Sequence, residues 1–368
     1  MNLESLRVSS FRNLADAQVV FPAGLTVIHG KNAQGKTNLL EAAYTVLTGH
    51  SHRATSDQDE ISFGRDEAFV EALFSRPSGE LTLSIALHRH GRKVRRRNGK
   101  AFRPGEDPLG DPRVILFAPE DLHLVQGAPA DRRRFVDDDL GQVVPGHARL
   151  ARSYQRALSQ RNGALRRDRP DLLPAFDAVW APLALRLTAA RRSLVEAFGP
   201  FAARAHAGIA PGDPALSVGY LPGLRGTSEE EVLDHLHRLR EEELARGATA
   251  MGPHRDDIRL ALGDNDLRSF GSQGQQRTAA VAAKVAAVAF VEAREHTAPL
   301  LLLDDVLSEL DKDRREALAA VVRRAQTVLT TADDGTLPTG LSPSAIYVVE
   351  SGRVSPSGTH LRGGEGTP

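Results

Sequence analysis

Gly30-Lys31-Asn32-Ala33-Gln34-Gly35-Lys36-Thr37 is the stretch that decides the fold of this chain. It matches the phosphate-loop pattern G-x-x-x-x-G-K-[ST]. A short run rich in β-branched residues precedes it at 25–29, and apolar residues with helical spacing follow it from Asn38 to Leu47, where Gly49 can end the helix. The motif requires this strand–loop–helix context, because the glycines let backbone N–H groups and the helix N-terminus face phosphate groups.

The loop predicts an ATP site with Mg²⁺ as the accompanying ion. Lys36 is expected to reach the β- and γ-phosphates, and the hydroxyl of Thr37 is expected to ligate Mg²⁺. A Gly-rich turn that happens to precede a helix is the structural alternative, and the flanking pattern disfavours it. The predicted ATP-binding residues are Gly30, Lys31, Asn32, Ala33, Gln34, Gly35, Lys36, Thr37 and Asn38.

The composition excludes several classes of protein. The 368 residues suffice for two or three domains, and the absence of cysteine excludes disulfides, a thiolate nucleophile and a Cys-based zinc site. Charged residues near the N-terminus exclude a secretory signal, and the longest apolar run, 279–291, contains Lys284 and is too short to span a bilayer. We therefore expect a cytoplasmic protein with no membrane partner.

The charge is balanced overall and uneven locally. The 47 basic and 47 acidic side chains cancel, which argues weakly against a uniformly basic nucleic-acid binder. Basic clusters at 92–103, 132–134 and 166–169 could still contact a phosphate backbone, although a solvated helix or strand face is the simpler explanation for any single cluster. Asn98-Gly99 predicts a hairpin turn. The short strand before this turn contains Arg95, Arg96 and Arg97. These three arginines are the candidate DNA contacts.

A second group of residues lies where a run of four leucines meets two aspartates, at 300–305. A continuous apolar run is typical of a central parallel strand, and carboxylates at its C-terminal end emerge where α/β sheets bind ligands. Asp304 is expected to share Mg²⁺ with Thr37, and Asp305 to polarise the attacking water. Asp305 and Lys36 are therefore the predicted catalytic residues. A buried strand that ends in an ordinary turn is the alternative.

A third group, at 270–277, precedes an Ala/Val-rich helix over 278–291. A Ser/Gly turn at a helix N-terminus is a second anion-binding device. The phosphate loop binds one ATP. A second anion-binding turn therefore needs either another phosphate group or the ATP bound by another copy of the chain. Taken alone, a capped helix start is the simpler interpretation.

The chain reads as an α/β nucleotide domain interrupted by a helical lobe. Strands are predicted at 3–9, 15–21, 81–87 and 114–117, and helices at 150–165, 171–198 and 228–246, the last capped by Ser228. A stretch with prolines at 211, 214 and 222 is looser. The predicted organisation is an ATPase head (lobe I) over 1–125 and 250–354, a helical lobe (lobe II) over 126–249, and a disordered tail over 355–368.

Together the three groups resemble the ABC-type ATPases, whose signature turn closes over the ATP of a partner subunit. The interval from Thr37 to Ser272 is much longer than in transporter heads and much shorter than in the chromosome-maintenance (SMC) ATPases with long coiled coils. The resemblance implies an α/β P-loop head with a mainly helical second lobe between phosphate loop and signature. The signature residues that act in trans are then Ser272, Gln273, Gly274, Gln275 and Gln276.

Over nearly its whole length the chain resembles the RecF family of bacterial recombination mediators, an SMC-like head without a long coiled coil. The motifs 252–257 and 272–277 are far more specific than the phosphate loop alone. The residues on which the resemblance rests are 11–14, 30–41, 51–53, 117–122, 131–135, 252–257, 272–276 and 303–311.

The resemblance implies a weak, DNA-stimulated ATPase of recombinational repair. An ATP-driven homodimer would bind double-stranded DNA near single-strand gaps and, with RecR and RecO, help load RecA. Asp305 is shorter than the Glu of transporter heads, which suits slow hydrolysis as a release switch. A cytosolic ATPase subunit of a membrane transporter is the alternative, and the aspartate pair and long insertion disfavour it. A P-loop kinase acting on a small molecule would leave the Ser272 turn unexplained.

Overall fold

The computed structural model describes residues 1–102, 112–332, 337 and 340–357. Most of the predicted tail, 358–368, therefore lies outside the described residues. In chain order, the strands are β1 Asn2–Ser9, β2 Ala17–Val20, β3 Leu25–His29, β4 Glu67–Arg76, β5 Gly79–His88, β6 Val94–Arg97, β7 Lys100–Ala101, β8 Val114–Phe117, β9 Leu216–Leu221, β10 Asp257–Leu262, β11 Asn265–Asp266, β12 Leu300–Asp304, β13 Thr327–Thr331, β14 Pro343–Glu350 and β15 Arg353–Pro356. The α-helices are α1 Lys36–Thr48, α2 Pro129–Arg134, α3 His147–Arg166, α4 Leu173–Ile209, α5 Glu229–Arg246, α6 Leu267–Phe270, α7 Gln273–Glu295 and α8 Lys312–Val322.

The chain divides into two compact units. The first comprises Met1–Asp121 with Val291–Pro368, and the second comprises Leu122–Phe290. The predicted boundaries at 125/126 and 249/250 differ from these. The second boundary moves because β9, in the middle of the helical region, pairs along its whole length with β10. That pairing brings residues after 250 into the second unit.

The first unit contains a largely parallel sheet in the order β15-β14-β3-β13-β12-β8. Its central strands β3, β13 and β12 run parallel and are almost fully buried, as the apolar runs in the sequence predict. The phosphate loop follows β3 and Asp304 ends β12, so β13 lies between them. The C-terminal edge of this sheet thus holds both predicted motifs.

An antiparallel sheet in the order β2-β1-β4-β5-β6-β7 completes the core of the first unit. The phosphate-loop helix α1 packs in one continuous core with residues of both sheets, which is why ten of its side chains are buried. Gly49 ends the helix in the left-handed conformation, as predicted. Asn98 and Gly99 have φ of 48° and 75°, which confirms the predicted turn between β6 and β7.

The predicted disordered tail begins too early. Ser355 and Pro356 belong to β15 and pair with Val348 and Tyr347 of β14. The Gly/Ser/Pro-rich composition led to this error, because composition alone does not show that β14 and β15 form a hairpin at the edge of the parallel sheet.

The second unit packs α3, α4 and α5 around a core that contains Tyr154, Trp180 and Leu236. It also contains an antiparallel sheet, in the order β11-β10-β9, that the sequence analysis did not predict. Along β9 (Leu216–Leu221) alternate side chains are more and less buried. That period of two was visible in the sequence and was obscured by the nearby prolines.

Helix α4 is longer than predicted. It continues past residue 198 and through Pro200 to Ile209, because Phe198, Ala202 and His206 share one buried face. Among the described residues, α4 with its preceding turn is the one helix long and apolar enough to cross a membrane, a property the sequence analysis overlooked because charged residues interrupt it. We interpret it as a core helix, because its Asp177 and Arg191 are buried in ion pairs.

The motif at 252–257 is a structural junction of the second unit. Gly252 has φ of 126°, and a Cβ atom there would lie 2.5 Å from the Trp180 ring, so only glycine fits. Asp256 is buried and accepts a 2.8 Å hydrogen bond from Arg191 of α4. The motif therefore ties the start of β10 to the long helix.

Candidate functional site

The phosphate loop has the backbone geometry that its glycines predict. Gly30 and Gly35 have φ of 156° and 116°. A Cβ atom on Gly30 would lie 2.4 Å from the carbonyl oxygen of Val349, and one on Gly35 would lie 2.8 Å from Oδ1 of Asn13. Gly30 therefore needs glycine for close backbone approach as well as for conformation, whereas Gly35 needs it chiefly for conformation. Gly35 directly precedes α1, so the helix N-terminus faces the loop.

Lys36 is held inside the loop. Its side chain is buried, and Nζ donates hydrogen bonds to the carbonyl oxygens of Gly30 (2.6 Å) and Lys31 (3.0 Å). Burial lowers the pKa of Lys36, and the negative charges of Asp305 and Asp304 oppose that shift. A cation in this position suits phosphate oxygens, which would replace the two carbonyls as its acceptors.

The predicted Mg²⁺ residues meet at the edge of the parallel sheet. Oγ1 of Thr37 donates a 2.9 Å hydrogen bond to Oδ1 of Asp304, although 267 residues separate them. Thr330, paired with Asp304 across the strands, donates a second bond of 2.7 Å to the same oxygen. Among the described residues, no cluster of three or more His, Cys, Asp or Glu could hold a metal alone. The hydroxyl and carboxylate fit Mg²⁺ that arrives with phosphate groups and keeps water ligands.

Asp305 directly follows β12 and has the left-handed backbone conformation, with φ of 48°. Its backbone N–H donates to the carbonyl oxygen and to Oγ1 of Thr330, at 3.2 and 3.0 Å. Burial raises the pKa of Asp305, and the charge of Lys36 opposes the shift. A positioned carboxylate with a raised pKa is suited to accept a proton from water.

We expect Asp305→Asn to retain ATP binding and to slow hydrolysis by roughly a hundredfold, the low end for loss of a general base. Wild-type turnover should rise as the pH increases through the raised pKa of Asp305, and this limb should be absent in the variant. Asp304→Asn should instead weaken the dependence on Mg²⁺. Single-turnover hydrolysis over a pH series measures the effect at Asp305, and the same assay over a Mg²⁺ series measures the effect at Asp304. If Asp305→Asn hydrolysed ATP at the wild-type rate, the residue that polarises the attacking water would instead be Glu309 or Asp311.

Two predicted loop residues use their side chains to hold the loop in place. Oε1 of Gln34 accepts a 2.6 Å hydrogen bond from the backbone of Ser351. Nδ2 of Asn38 donates a 2.6 Å bond to Asn13. The two side chains thus support the loop. Any contact of Gln34 and Asn38 with phosphate would therefore come from their backbone N–H groups.

A charged cluster next to the loop centres on Glu41, which the sequence analysis did not assign to the site. Glu41 of α1 is fully buried and receives hydrogen bonds from Arg12, Arg53 and Ser51. Burial alone would raise the pKa of Glu41, but these bonds outweigh it and hold the pKa below its usual range. Arg53 also donates to Oδ1 of Asn38 at 2.7 Å, which brings the cluster to the loop. The sequence signal was indirect: segments 11–14 and 51–53 supported the resemblance, and Arg12 and Asn13 were considered only as contacts to the nucleotide.

A second buried carboxylate contacts α1 one helical turn after Glu41. Glu60 is 1% exposed and accepts a 2.8 Å hydrogen bond from the hydroxyl of Thr45. Burial raises the pKa of Glu60 to about 6, and the bond from Thr45 opposes the shift. The ionised form of Glu60 therefore destabilises the folded state.

We expect Glu60→Gln to raise the free energy of unfolding at pH 7 by roughly 2 kcal/mol, because a shift from 4.5 to about 6 disfavours the ionised form in the folded chain. The wild-type chain should gain stability as the pH falls from about 6 towards 4.5, and the variant should lack that gain. Denaturant unfolding over this range measures the difference. Glu80→Gln, at an exposed position, should change nothing, and equal effects of both variants would contradict the assignment.

The predicted signature turn forms the start of α7. Ser272 and Gln275 make a capping box: Oγ of Ser272 accepts from the backbone of Gln275, and Oε1 of Gln275 accepts from that of Ser272. Ser272, Gln273 and Gly274 are exposed. Gln276 differs, because it is buried and donates a 2.8 Å bond to the carbonyl oxygen of Leu267, so its side chain supports the turn from behind.

Beside this turn, Phe270 is 76% exposed. The ring belongs to the short helix α6, which Asp266 caps with a hydrogen bond to the backbone of Ser269. A large apolar side chain is thus displayed two residues before Ser272. Aromatic rings in such positions are enriched at protein–protein interfaces.

The three hairpin arginines have different environments. Arg95 is half-buried: it donates to the carbonyl oxygen of Leu47 at 2.9 Å and stacks over the Phe102 ring. Arg96 is exposed, and Arg97 is partly exposed. The guanidinium of Arg95 therefore stabilises the C-terminal end of α1, and Arg96 is the member of the group that faces solvent most fully.

Comparisons with known proteins agree with this geometry. The family model described as the RecF/RecN/SMC N terminal domain matches residues 2–355. The DNA replication and repair protein RecF of Geobacillus thermodenitrificans is 37% identical over 96% of this chain and 99% of its own length. That of Listeria monocytogenes is 36% identical over 97% of this chain and 100% of its own.

Solved structures give the same result at the level of the fold. A structure of the recombination mediator protein RecF with ATP, from the RecFOR pathway, superposes with a TM-score of 0.86 and 27% identity over 96% of this chain and 97% of that one. An Smc head bound to the C-winged helix domain of ScpA superposes with a TM-score of 0.55 and 17% identity, covering 98% of both chains. The second likeness concerns the fold alone.

Proposed function

The chain belongs to the RecF family of DNA replication and repair proteins, and we propose that it is an ATP-switched DNA-binding protein of recombinational repair. In this proposal ATP with Mg²⁺ joins two copies, and the homodimer binds double-stranded DNA near single-strand gaps. With RecR and RecO it helps load RecA, and slow hydrolysis releases the complex. Arg95, Arg96 and Arg97 remain proposed DNA contacts, with Arg96 the most accessible of them.

The observation that supports the proposal best is the gathering of Lys36, Thr37, Asp304 and Asp305 at one edge of the parallel sheet. This set binds and hydrolyses a nucleoside triphosphate when Mg²⁺ neutralises the phosphates. The exposed turn at Ser272 supports dimerisation, because a helix N-terminus that faces solvent can bind the γ-phosphate of a second copy.

Sedimentation velocity tests the proposal directly. The chain is measured alone, with a non-hydrolysable ATP analogue, with a gapped DNA duplex, and with both. We expect a monomer alone, a dimer with the analogue, and DNA that co-sediments with the dimer. A chain that remains monomeric at saturating analogue would contradict ATP-driven dimerisation.

Turnover separates the proposal from the transporter alternative. We propose weak ATPase activity that DNA stimulates without a membrane component. The kinase alternative predicts a phosphorylated small molecule, whereas this proposal predicts free phosphate as the product.

A further inference from the structure

Two sequence motifs of the second unit, 131–135 and 252–257, have no role in the site described above. They meet in an ion pair between Arg132 of α2 and Asp257 at the start of β10. Nε and Nη2 of Arg132 donate to the two carboxylate oxygens of Asp257, at 2.7 and 3.1 Å. Burial alone would raise the pKa of Asp257, but the bonds from Arg132 and from the backbone of Ile258 outweigh it and hold the pKa below its usual range. Arg132 is 2% exposed, so this member of the basic cluster 132–134 faces the interior of the unit.

The remaining nitrogen of the Arg132 guanidinium holds a turn at 124–127. Nη1 donates to three carbonyl oxygens of this turn, at 3.1, 3.1 and 2.8 Å for Leu124, Val125 and Gly127. A guanidinium presents donors along two edges of one rigid plane, whereas an ammonium group is a compact charge on a flexible stem. Arginine can therefore hold Asp257 and the turn in a fixed relation, and lysine cannot.

The turn reaches the signature segment through Gln126. Nε2 of Gln126 donates a hydrogen bond to Oε1 of Gln276, which lies in the first turns of α7 and is buried. Nε2 of Gln276 donates in turn to the carbonyl oxygen of Leu267, at 2.8 Å. Because a backbone carbonyl can only accept, this bond fixes the orientation of the Gln276 amide and directs its oxygen towards Gln126.

The segment held in this way is the one that presents the signature turn. The backbone N–H of Gly271 donates to the carbonyl oxygen of Leu267 at 3.0 Å, and a Cβ atom on Gly271 would lie 2.6 Å from that oxygen. The same carbonyl thus receives one bond from before Ser272 and one, from Gln276, after it. A shift of the Gln276 amide would therefore move the exposed turn at Ser272 relative to α6.

We propose that Arg132 is a positioning residue for the signature turn. It acts through Gln126 and Gln276, and it sets the orientation in which Ser272 faces the ATP of a second copy. This inference rests on the proposed function, which supplies the second copy and its ATP. The guanidinium of Arg132 is directed at Asp257 and at the turn, so its effect on the nucleotide is indirect.

Two single variants and their combination test the assignment. Arg132→Lys keeps the charge and loses the fork, and Gln126→Ala removes the link at an exposed position. Dimerisation is measured by sedimentation over a concentration series, with the non-hydrolysable ATP analogue present. We expect each single variant to weaken the dimer at least about tenfold, the factor that corresponds to one lost charge-assisted hydrogen bond. The double variant should weaken it no further than the stronger single variant, because both residues act along one path.

Each single variant has a matched control in the same unit. Arg161 is a second buried arginine fork and forms ion pairs with Asp177 and Glu243, both at 2.6 Å. Arg161→Lys should lower the melting temperature as Arg132→Lys does, and should leave dimerisation at the wild-type level. Gln160→Ala, at an exposed position on α3, is the control for Gln126→Ala and should change neither property.

Hydrogen exchange of the chain without nucleotide provides a readout that does not need a dimer. The backbone amides of 267–276 should exchange faster in Arg132→Lys and in Gln126→Ala than in the wild-type chain, and at the wild-type rate in both controls.

Several results would overturn the assignment. They are wild-type dimerisation in Gln126→Ala, additive losses in the double variant, and an equal loss of dimerisation in Arg161→Lys, which would indicate a general effect of stability. If Arg132→Lys did not fold, Gln126→Ala and its control would decide alone. If the wild-type chain remained monomeric with the analogue, the proposed function itself would be contradicted, and unchanged exchange of 267–276 in the variants would still contradict the positioning contact separately.

Discussion

Lys36→Ala is expected to abolish productive ATP binding, with affinity lowered at least about a hundredfold. In the wild-type chain the ammonium group is buried between the carbonyl oxygens of Gly30 and Lys31, where nucleotide phosphates would replace them. A hydrogen bond to a charged group contributes about 1.5–3 kcal/mol, so the loss of two such bonds accounts for this factor. The variant also leaves the negative charges of Asp304 and Asp305 without the cation that opposes them.

Lys31→Ala is the matched control for this measurement. It removes the same charge from the same loop, but the Lys31 side chain is exposed, and its backbone groups remain. Titration with a fluorescent ATP analogue should therefore give near wild-type affinity for Lys31→Ala and almost none for Lys36→Ala. Thermal melts of both variants verify that the fold survives. Near-normal affinity in Lys36→Ala would show that the loop binds phosphates through its backbone alone.

The parts of the fold that the sequence predicted correctly are those that depend on neighbouring residues. The phosphate loop, α1 and its end at Gly49 follow from glycine placement and helical spacing over twenty residues. The meeting of Thr37 with Asp304 was predictable over a long distance for a different reason. Both follow strands of one parallel sheet, and the C-terminal ends of parallel strands share an edge.

The features that sequence reasoning missed depend on pairing between distant segments. In the sequence Glu41 is only the last residue of a motif that supports the resemblance, and only the fold brings Arg12 and Arg53 to it. The pairing of β9 with β10 sets the boundary of the second unit in the same way. Neither partner strand specifies the other in its own sequence.

Runs of charge were equally ambiguous. The acidic run at 137–139 looks like a solvated patch in the sequence, yet Asp137 accepts from Arg191 and buried Asp139 accepts from Lys284. Composition reports how many charges a segment contains. It does not report which of them the core neutralises.

Ser272→Arg is expected to leave nucleotide binding by the monomer intact and to block ATP-dependent dimerisation. Ser272 is exposed at the start of α7, where the proposed function places the γ-phosphate of the second copy. An arginine there would put a long cationic side chain into the surface that must close. Because Oγ of Ser272 also caps the helix, the substitution should cost about 1 kcal/mol of stability in addition.

Ser228→Arg separates the two effects, because Ser228 caps α5 of the same unit through an equivalent bond to the backbone of Glu231. Both variants should melt slightly below the wild-type chain, and both should bind the ATP analogue normally. Only Ser272→Arg should remain monomeric in sedimentation with the analogue, whereas Ser228→Arg should dimerise. If Ser272→Arg dimerised at wild-type affinity, the turn would be a helix cap alone and the trans-acting signature would have to be abandoned. If both variants failed to dimerise, a specific clash at the closing surface would not explain the defect, because the two substitutions share only the lost helix cap and the added arginine charge.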